Sequence, residues 1–297
     1  MTGPSRRLLT EFGPSSRMRF FEAHSGLSAL VLERSRARRA AALPGIDGLW
    51  LSSLTQTAVR ARPDDETLGL EHRMSDLDDI RRISGLPVLF DGDSGGSVSE
   101  LTALIETLHR HGADGLVIED KVGPKVNSLR DWGPQQRQAD PREFAAKVRA
   151  GVAVARPRGL IVVARIESLI TGLGPNDALD RASRFVDAGA DAVMIHSRRN
   201  DDGEIRNFCA EFRRDNDRTA VIVVPSTFDD VPADALFAAG VNMVIYANQL
   251  LRAAHRAMTH VVESILDNDR AAPARSEMTS IPEILRFIPE DSDRRAP

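Results

Sequence analysis

Eight short runs of apolar residues recur along the chain, and none of them alternates cleanly between polar and apolar positions. Because a strand buried on both faces carries such a continuous run, each run predicts a strand of a parallel sheet. Between most runs apolar residues recur at helical spacing, as in Ser99–His111. The predicted strands are Met18–Ala23, Gly48–Leu51, Pro87–Phe90, Gly115–Ile118, Leu160–Ala164, Ala192–Ile195, Ala220–Val224 and Met243–Ala247.

The order of these elements predicts an α/β fold, a (β/α)8 TIM barrel. Three helix-to-strand joints are alike, since HRHGADGLVIED, VDAGADAVMIHS and FAAGVNMVIYAN each place a glycine between a helix and a buried strand. Eight strands with intervening helices over about 250 residues match the size of such a barrel. A doubly wound open sheet is the alternative, but no G-x-G-x-x-G turn follows the first strand.

The residues after the last predicted strand have a different pattern. Gln249–Asp267 is one long helical pattern, and a short amphipathic segment, Ile281–Ile288, follows a polar break. We therefore expect residues 1–297 to form a single barrel domain with a C-terminal helical extension at 249–290.

Composition excludes several classes of protein. The 297 residues carry a formal net charge of −4, with 28% charged residues, which does not suit binding to nucleic acid through a basic surface. No apolar stretch is long enough to cross a membrane and the first residues lack the apolar run of a signal peptide, so a cytoplasmic location is expected. The single cysteine, Cys209, excludes a disulfide framework.

Charged residues follow the predicted strands at one end of the expected barrel, where barrel enzymes place their chemistry. Asp91, Asp93 and Glu119 come after neighbouring strands, and hard oxygen ligands of this kind suit Mg²⁺. Arg165 and His196 follow later strands and supply positive charge opposite. A carboxylate-bound metal facing cations suits a small dianion, such as a phosphoryl or carboxylate compound. The alternative is a rim of ordinary ion pairs.

Several segments, taken in order along the chain, resemble one family. Glu119–Leu129, EDKVGPKVNSL, resembles the EDK-x-x-PK-x-NS(L/F) loop of the phosphoenolpyruvate mutase/phosphonopyruvate hydrolase family, in the isocitrate lyase/phosphoenolpyruvate mutase superfamily. Glu22–Ala29 is similar to its EAHNGLSA, Val162–Gly174 to its VARVEAFIAGWG, and Ala188–Arg198 to its AGADAILMHSK.

The resemblance implies roles for a set of residues at the strand ends. Asp91 is expected to bind Mg²⁺ directly, while Asp93 and Glu119 hold its water ligands. Arg165 and His196 are expected to hold the phosphoryl group. The set is completed by Lys125, Asn127 and Ser128 on a gating loop, the catalytic Asp64 after strand 2, and the substrate-binding residues Trp50, Ser52, Ser53, Leu54 and Lys121.

The resemblance also implies the partners of the chain. The last helix is expected to be exchanged between subunits of a homo-oligomer, in dimers that pair into tetramers. The expected ligand is a small molecule, phosphoenolpyruvate or phosphonopyruvate, with no nucleic acid and no membrane as partners.

The implied reaction moves a phosphoryl group between the enol oxygen of phosphoenolpyruvate and the carbon of phosphonopyruvate. Phosphonopyruvate hydrolase is the nearest alternative; Asn127 favours the mutase, whereas the HSR at 196–198 is more hydrolase-like. A carbon–carbon lyase is disfavoured because the gating loop lacks the cysteine of that class. Ser53 stands where the family has glycine, and a glycine of DGDSGGS stands for its aromatic residue, so a degraded barrel with a binding or structural role is a further alternative.

Overall fold

The computed structural model describes residues 7–38, 43–130 and 136–289. Within these ranges, two short 3₁₀ helices, Arg156–Arg158 and Ala272–Glu277, accompany the regular elements. In chain order the helices and strands are α1 (Arg7–Glu11), β1 (Met18–Glu22), α2 (Gly26–Arg38), β2 (Gly48–Leu51), α3 (Ser53–Ala58), α4 (Leu70–Ile83), β3 (Val88–Asp91), α5 (Val98–Arg110), β4 (Gly115–Glu119), β5 (Lys121–Val122), β6 (Arg137–Gln138), α6 (Pro141–Ala155), β7 (Ile161–Ile166), α7 (Ser168–Thr171), α8 (Pro175–Asp187), β8 (Ala192–Ile195), α9 (Gly203–Asp215), β9 (Ala220–Val223), α10 (Ala233–Ala238), β10 (Met243–Tyr246), α11 (Gln249–Asn268) and α12 (Ile281–Phe287).

Eight parallel strands close into a barrel in the order β1, β2, β3, β4, β7, β8, β9, β10, with β10 pairing back onto β1. Phe20 joins the two sides of the closure, since it is in register with Gly48 of β2 and with Ile245 of β10. The predicted (β/α)8 barrel is confirmed, and each predicted apolar run contains or overlaps one barrel strand.

The barrel interior is filled by side chains, as expected for eight strands. Phe20 is fully buried there, and a Cβ placed on Gly48 would lie 2.2 Å from its ring, so glycine at this position makes room for the aromatic side chain. The other buried members of this core are Leu8, Trp50, Leu89, Val117, Ile161, Val163, Ala192, Met194, Ala220, Ile222, Val224, Met243 and Ile245.

A two-stranded antiparallel ladder lies outside the barrel and was not predicted. β5 pairs with β6 through Lys121 opposite Gln138. Beside it, the main-chain N–H of Ala139 donates to the carbonyl of Asp120 at 2.7 Å. Strands of two residues carry no apolar run that a sequence pattern can detect. The ladder pairs the start of the segment that resembles a gating loop with Arg137–Gln138, which lie beyond its end.

The chain divides into two compact units, Met1–Asn248 and Gln249–Pro297. The first unit contains the closed barrel. The second contains α11, the 3₁₀ helix Ala272–Glu277 and α12 in its described part, which ends at residue 289. Within the ranges that the structure describes, no helix combines the length and the apolar character needed to cross a bilayer.

Candidate active site

A pocket opens at the C-terminal ends of the barrel strands. It collects thirteen of the fourteen residues predicted for the site, and the fourteenth, Asp93, contacts Lys125 in its wall. Leu129, Val224, Ser226, Ala247 and Asn248 complete the lining, without having been predicted. The predicted residues in the lining are Trp50, Ser52, Ser53, Leu54, Asp64, Asp91, Glu119, Lys121, Lys125, Asn127, Ser128, Arg165 and His196.

One wall of the pocket is formed by the carboxylates at the end of β3. Asp91 accepts two hydrogen bonds on Oδ2, at 3.2 Å from the main-chain N–H and at 2.9 Å from the hydroxyl of Ser53. Asp93 follows in a left-handed conformation with φ 54°, which costs a residue other than glycine about 1–3 kcal/mol. Such strain persists because the side chain of Asp93 is held by ion pairs with Arg73 and Lys125.

Arg73 of α4 is a site residue that the sequence did not reveal. Its guanidinium donates to Asp93 Oδ2 at 2.8 Å, to Gln56 Oε1 at 2.9 Å and to the carbonyl of Asp91. It also lies 4.2 Å from the ring centroid of Phe90. Arg73 therefore supports the end of β3 from behind the pocket.

The gating-loop residues lie across the mouth of the pocket. Lys125 Nζ donates to Asp64 Oδ1 at 2.6 Å, to Ser53 Oγ at 2.7 Å and to Asp93. Asn127 Nδ2 donates to the other oxygen of Asp64, at 2.8 Å. Burial lowers the pKa of Lys125. The negative charges of Asp93, Asp91 and Asp64 raise this pKa and outweigh burial, so the ammonium stays charged. Asp64 thus anchors two loop side chains.

Lys121, at the start of the same loop, is bound within the loop. Its Nζ donates to the carbonyl of Val126 and the hydroxyl of Ser128, both at 2.8 Å, and to Gln136 Oε1 at 3.0 Å. It also lies 3.2 Å from Glu119 Oε1. Lys121 therefore folds the loop onto the end of β4 as well as lining the pocket.

The closed pocket is small. Its cavity of about 50 Å³ has room for a few water molecules. The loop that carries Lys125 and Asn127 lines this pocket, so its position controls the access of a ligand.

Arg165 and His196 line the same pocket, and Arg165 lies 3.5 Å from Glu119 Oε2. Arg165 pairs with Glu167 through Nε. One terminal nitrogen of its guanidinium donates to Ser128 Oγ at 2.7 Å and lies 3.0 Å from His196 Nδ1. Glu167, fully buried, lies 3.3 Å from the same Nδ1. Glu167 was not predicted as a site residue; its carboxylate pairs with Arg165 and lies beside His196.

Burial disfavours the charged forms of Glu119, Glu167 and His196, and the strength of the neighbouring charges decides the direction of each pKa shift. Burial raises the pKa of Glu119 to about 7, since the opposing effects of Arg165 and Lys121 are smaller. Burial also raises the pKa of Glu167, but Arg165 and His196 outweigh it and hold this pKa well below its ordinary value. Burial lowers the pKa of His196 and Arg165 lowers it further, so the imidazole is neutral at neutral pH.

The carboxylates fit a magnesium ion that is held largely through water. Across residues 7–38, 43–130 and 136–289, no three His, Cys, Asp or Glu side chains are placed to hold a metal ion directly. Mg²⁺, however, commonly binds one or two carboxylates and keeps several waters. Asp91 Oδ1 is weakly engaged, by a 3.3 Å hydrogen bond from the N–H of Asp93, and Glu119 stands on the adjacent strand β4. The donor set therefore suits the ion.

A closed parallel barrel that gathers carboxylates, cations and a covering loop at the C-terminal strand ends has the architecture of a (β/α)8-barrel enzyme. The chain belongs to the phosphoenolpyruvate phosphomutase family, whose model matches residues 11–266. Phosphoenolpyruvate phosphomutase of Tetrahymena pyriformis is 33% identical over 276 residues, which cover 93% of this chain and 88% of the relative. That of Streptomyces hygroscopicus is 36% identical over 249 residues, which cover 82% and 74%.

Solved structures agree with this family membership. Phosphoenolpyruvate phosphomutase from Streptomyces platensis subsp. rosaceus superposes with a TM-score of 0.85 at 30% identity and covers 96% of this chain and 94% of that chain. A phosphonopyruvate hydrolase in complex with oxalate and Mg²⁺ superposes with a TM-score of 0.83 at 26% identity, covering 99% and 96%. The family resemblance seen in the sequence is confirmed.

Proposed function

We propose that the protein is a phosphoenolpyruvate mutase, which interconverts phosphoenolpyruvate and phosphonopyruvate with Mg²⁺. The observation that carries this proposal is one pocket that gathers carboxylates, cations and residues of the gating loop. Asp91 and Glu119 supply carboxylates suited to a metal, while Arg165, 3.5 Å from Glu119 Oε2, and His196 supply donors suited to a phosphoryl group. Relatives named phosphoenolpyruvate phosphomutase, up to 36% identical, support it.

The reaction is an internal transfer that requires no co-reactant. The P–C bond of phosphonopyruvate breaks and leaves its electron pair on the pyruvate fragment as an enolate. An electron pair of the enolate oxygen then forms the P–O bond of phosphoenolpyruvate, so no proton or electron is gained or lost. The protein must stabilise the enolate and the phosphoryl group in transit and must keep water away.

The pyruvate end of the ligand is assigned to the carboxylate wall. Asp91 would hold Mg²⁺ directly and Asp93 and Glu119 would hold its water ligands, and the bound ion would supply positive charge for the enolate oxygens. Ser52 adds a donor there, since its hydroxyl lines the pocket and makes no cap bond to its own helix α3. Trp50 and Leu54 supply the apolar lining.

The phosphoryl end is assigned to Arg165 and His196. The guanidinium of Arg165 is charged and can only donate, so its contact with His196 Nδ1 leaves the imidazole proton on Nε2. A neutral imidazole then offers one N–H donor, while Arg165 offers charge. Both suit the oxygens of a phosphoryl group with dissociative character.

We assign the exclusion of water to the gating loop, which carries Lys125 and Asn127. Lys125 and Asn127 both bind Asp64, so closure replaces solvent at the mouth of the pocket with ordered side chains. An open loop lets water attack the phosphoryl group, which yields phosphate and pyruvate instead of phosphoenolpyruvate. Product identity is therefore sensitive to how well the loop closes.

The test is a ³¹P NMR time course of the purified protein with Mg²⁺ and phosphonopyruvate. A growing phosphoenolpyruvate signal supports the proposal. Phosphate together with pyruvate establishes the hydrolase instead. No turnover of phosphonopyruvate overturns both and leaves a binding or structural role.

Phosphonopyruvate hydrolase is the second candidate, and Arg198 is the observation that favours it. This residue completes the HSR sequence of the more hydrolase-like type. Asn127 favours the mutase instead, and its amide binds Asp64. The carbon–carbon lyase has no support in the site, since Cys209 is buried in α9 and takes no part in the pocket lining.

We also propose that residues 249–290 form a helical extension through which the chain assembles into a homo-oligomer, a dimer or tetramer. No residue of α11 is buried, and Met258, Val262 and Leu266 are 61%, 55% and 75% exposed on one helix face. Light scattering in solution tests this: a multimer supports it, and a monomer at micromolar concentration contradicts it. Cytoplasmic localisation stays a prediction from the sequence.

A further inference from the structure

One hydroxyl group lies between Lys125 of the gating loop and Asp91, the proposed metal ligand. Ser53, the first residue of α3, is 4% exposed. Its Oγ lies 2.9 Å from Asp91 Oδ2 and 2.7 Å from Lys125 Nζ. The family pattern that the chain resembles has glycine at this position, so these contacts belong to this chain's own side chain.

The direction of both hydrogen bonds follows from the partners. The ammonium of Lys125 can only donate and the carboxylate of Asp91 can only accept. The hydroxyl of Ser53 has a single proton, so it accepts from Lys125 and donates to Asp91. Both bonds involve a charged partner, and a hydroxyl that accepts one such bond donates the other more strongly.

The same serine also fixes the orientation of Asp91. Its main-chain N–H and its hydroxyl both bind Oδ2, at 3.2 Å and 2.9 Å. Oδ1, engaged at 3.3 Å by the N–H of Asp93, is the oxygen left to face an incoming ligand. Closing of the loop at Lys125 is therefore linked through one hydroxyl to the carboxylate that is assigned to the metal.

We propose that Ser53 is a positioning residue that couples closure of the loop at Lys125 to the orientation of Asp91. The inference rests on the proposed function, because it assigns Asp91 to the metal. It predicts that loss of the hydroxyl frees Lys125 and weakens metal binding together, without a change of fold.

The experiment compares the wild type with Ser53→Ala and Ser53→Gly in two measurements made without substrate. Trypsin cleavage of the bond after Lys125, followed by mass spectrometry, reports release of that side chain. Binding of Mn²⁺, followed by electron paramagnetic resonance, reports on the metal site. Thr57→Val is the matched control, since the Thr57 hydroxyl on the same helix bonds only backwards, to the carbonyls of Ser53 and Leu54.

Both serine variants are expected to be cleaved after Lys125 about tenfold faster, because a hydrogen bond to a charged group is lost. They are expected to bind Mn²⁺ about tenfold more weakly, as when a partner of a metal ligand is removed. Thr57→Val should match the wild type in both measurements, and circular dichroism should show all variants folded.

Unchanged cleavage and unchanged Mn²⁺ affinity in the two folded serine variants overturn the inference. A change in only one measurement also overturns it, because the coupling requires both. If both change while the wild type does not convert phosphonopyruvate, the coupling is supported and the proposed reaction fails, so the two failures are distinct.

Discussion

Arg165 and His196 lie 3.0 Å apart, guanidinium nitrogen to Nδ1, and this contact fixes the state of the imidazole. Arginine carries no acceptor and keeps its proton at all ordinary pH values, so Nδ1 must supply the lone pair. The Glu167 carboxylate, 3.3 Å from the same atom, can only accept and favours a proton on Nδ1 instead, but the shorter contact is the one with Arg165. His196 is thereby a neutral donor through Nε2.

The first prediction concerns the titration of His196. Burial and Arg165 lower its pKa below 6.5. Because the folded pKa is depressed, the stability contribution of the neutral imidazole is fully present above pH 6.5 and is lost as the pH falls through the folded value. Nitrogen-15 NMR should show the Nε2–H tautomer and a midpoint below 6.5, with His196→Gln identifying the signal. A midpoint at or above 6.5 would refute the assignment.

The second prediction concerns Arg198, which follows β8 and binds the gating loop. Its Nε donates to the carbonyl of Ser128 at 2.5 Å and its second nitrogen to that of Arg130 at 2.9 Å. Lysine cannot make this two-nitrogen contact. Arg198→Lys should therefore loosen the loop and slow turnover of phosphonopyruvate about tenfold.

Arg199→Lys is the neighbouring control for that variant. Arg199 is exposed and pairs with Asp201, outside the loop. Its substitution should change neither the rate nor the product ratio by more than about twofold. Equal turnover rates in the wild type and Arg198→Lys contradict a role for Arg198 in holding the loop.

The third prediction concerns Asp91 as the direct metal ligand. Asp91→Asn keeps the size of the side chain and removes the charge, so turnover of phosphonopyruvate should be lost and Mn²⁺ affinity should fall at least about a hundredfold. Asp180→Asn is the control, since Asp180 is exposed and pairs with Arg184 on the same helix. Wild-type turnover in Asp91→Asn rules out the metal assignment.

The fourth prediction concerns Cys209. Burial raises the pKa of its thiol to about 11, and Arg213 opposes this only in part. The stability contributed by the neutral thiol is therefore present below its unfolded pKa of about 8.5 and is lost as the pH rises towards the folded value. Iodoacetamide should label the native protein at pH 8 far more slowly than the protein unfolded in urea.

Cys209→Ala completes this test. It should keep full turnover and lower the free energy of unfolding by about 1 kcal/mol, the loss typical of a small buried side chain. A folded Cys209→Ala protein without activity would contradict the separation of Cys209 from the chemistry.

Much of the barrel follows from the sequence because parallel strands are buried on both faces. Val88–Asp91 and Ala192–Ile195 show the continuous apolar runs that this burial requires. Ladder β5–β6 could not be predicted, since two-residue strands depend on the tertiary placement of their ends and not on a local pattern.

The site likewise contains some residues that the sequence predicts and others that it does not. Asp91 and Glu119 could be predicted because they end strands, and the carboxyl ends of parallel strands meet. Arg73 could not, since an arginine within a helix is usually a solvated surface residue. Only the packing of α4, which leaves Arg73 8% exposed beside Asp93, makes it part of the site.

The β5–β6 ladder has a consequence for how enzymes on this scaffold can diverge. Lys121 pairs with Gln138, and the described residues between them pair with no strand of the barrel. The gating loop is thus held at its ends by this ladder. Insertions or exchanges within the loop therefore leave the register of all eight barrel strands unchanged. A change of the loop sequence can therefore change the reaction, while the free energy of folding of the barrel stays the same.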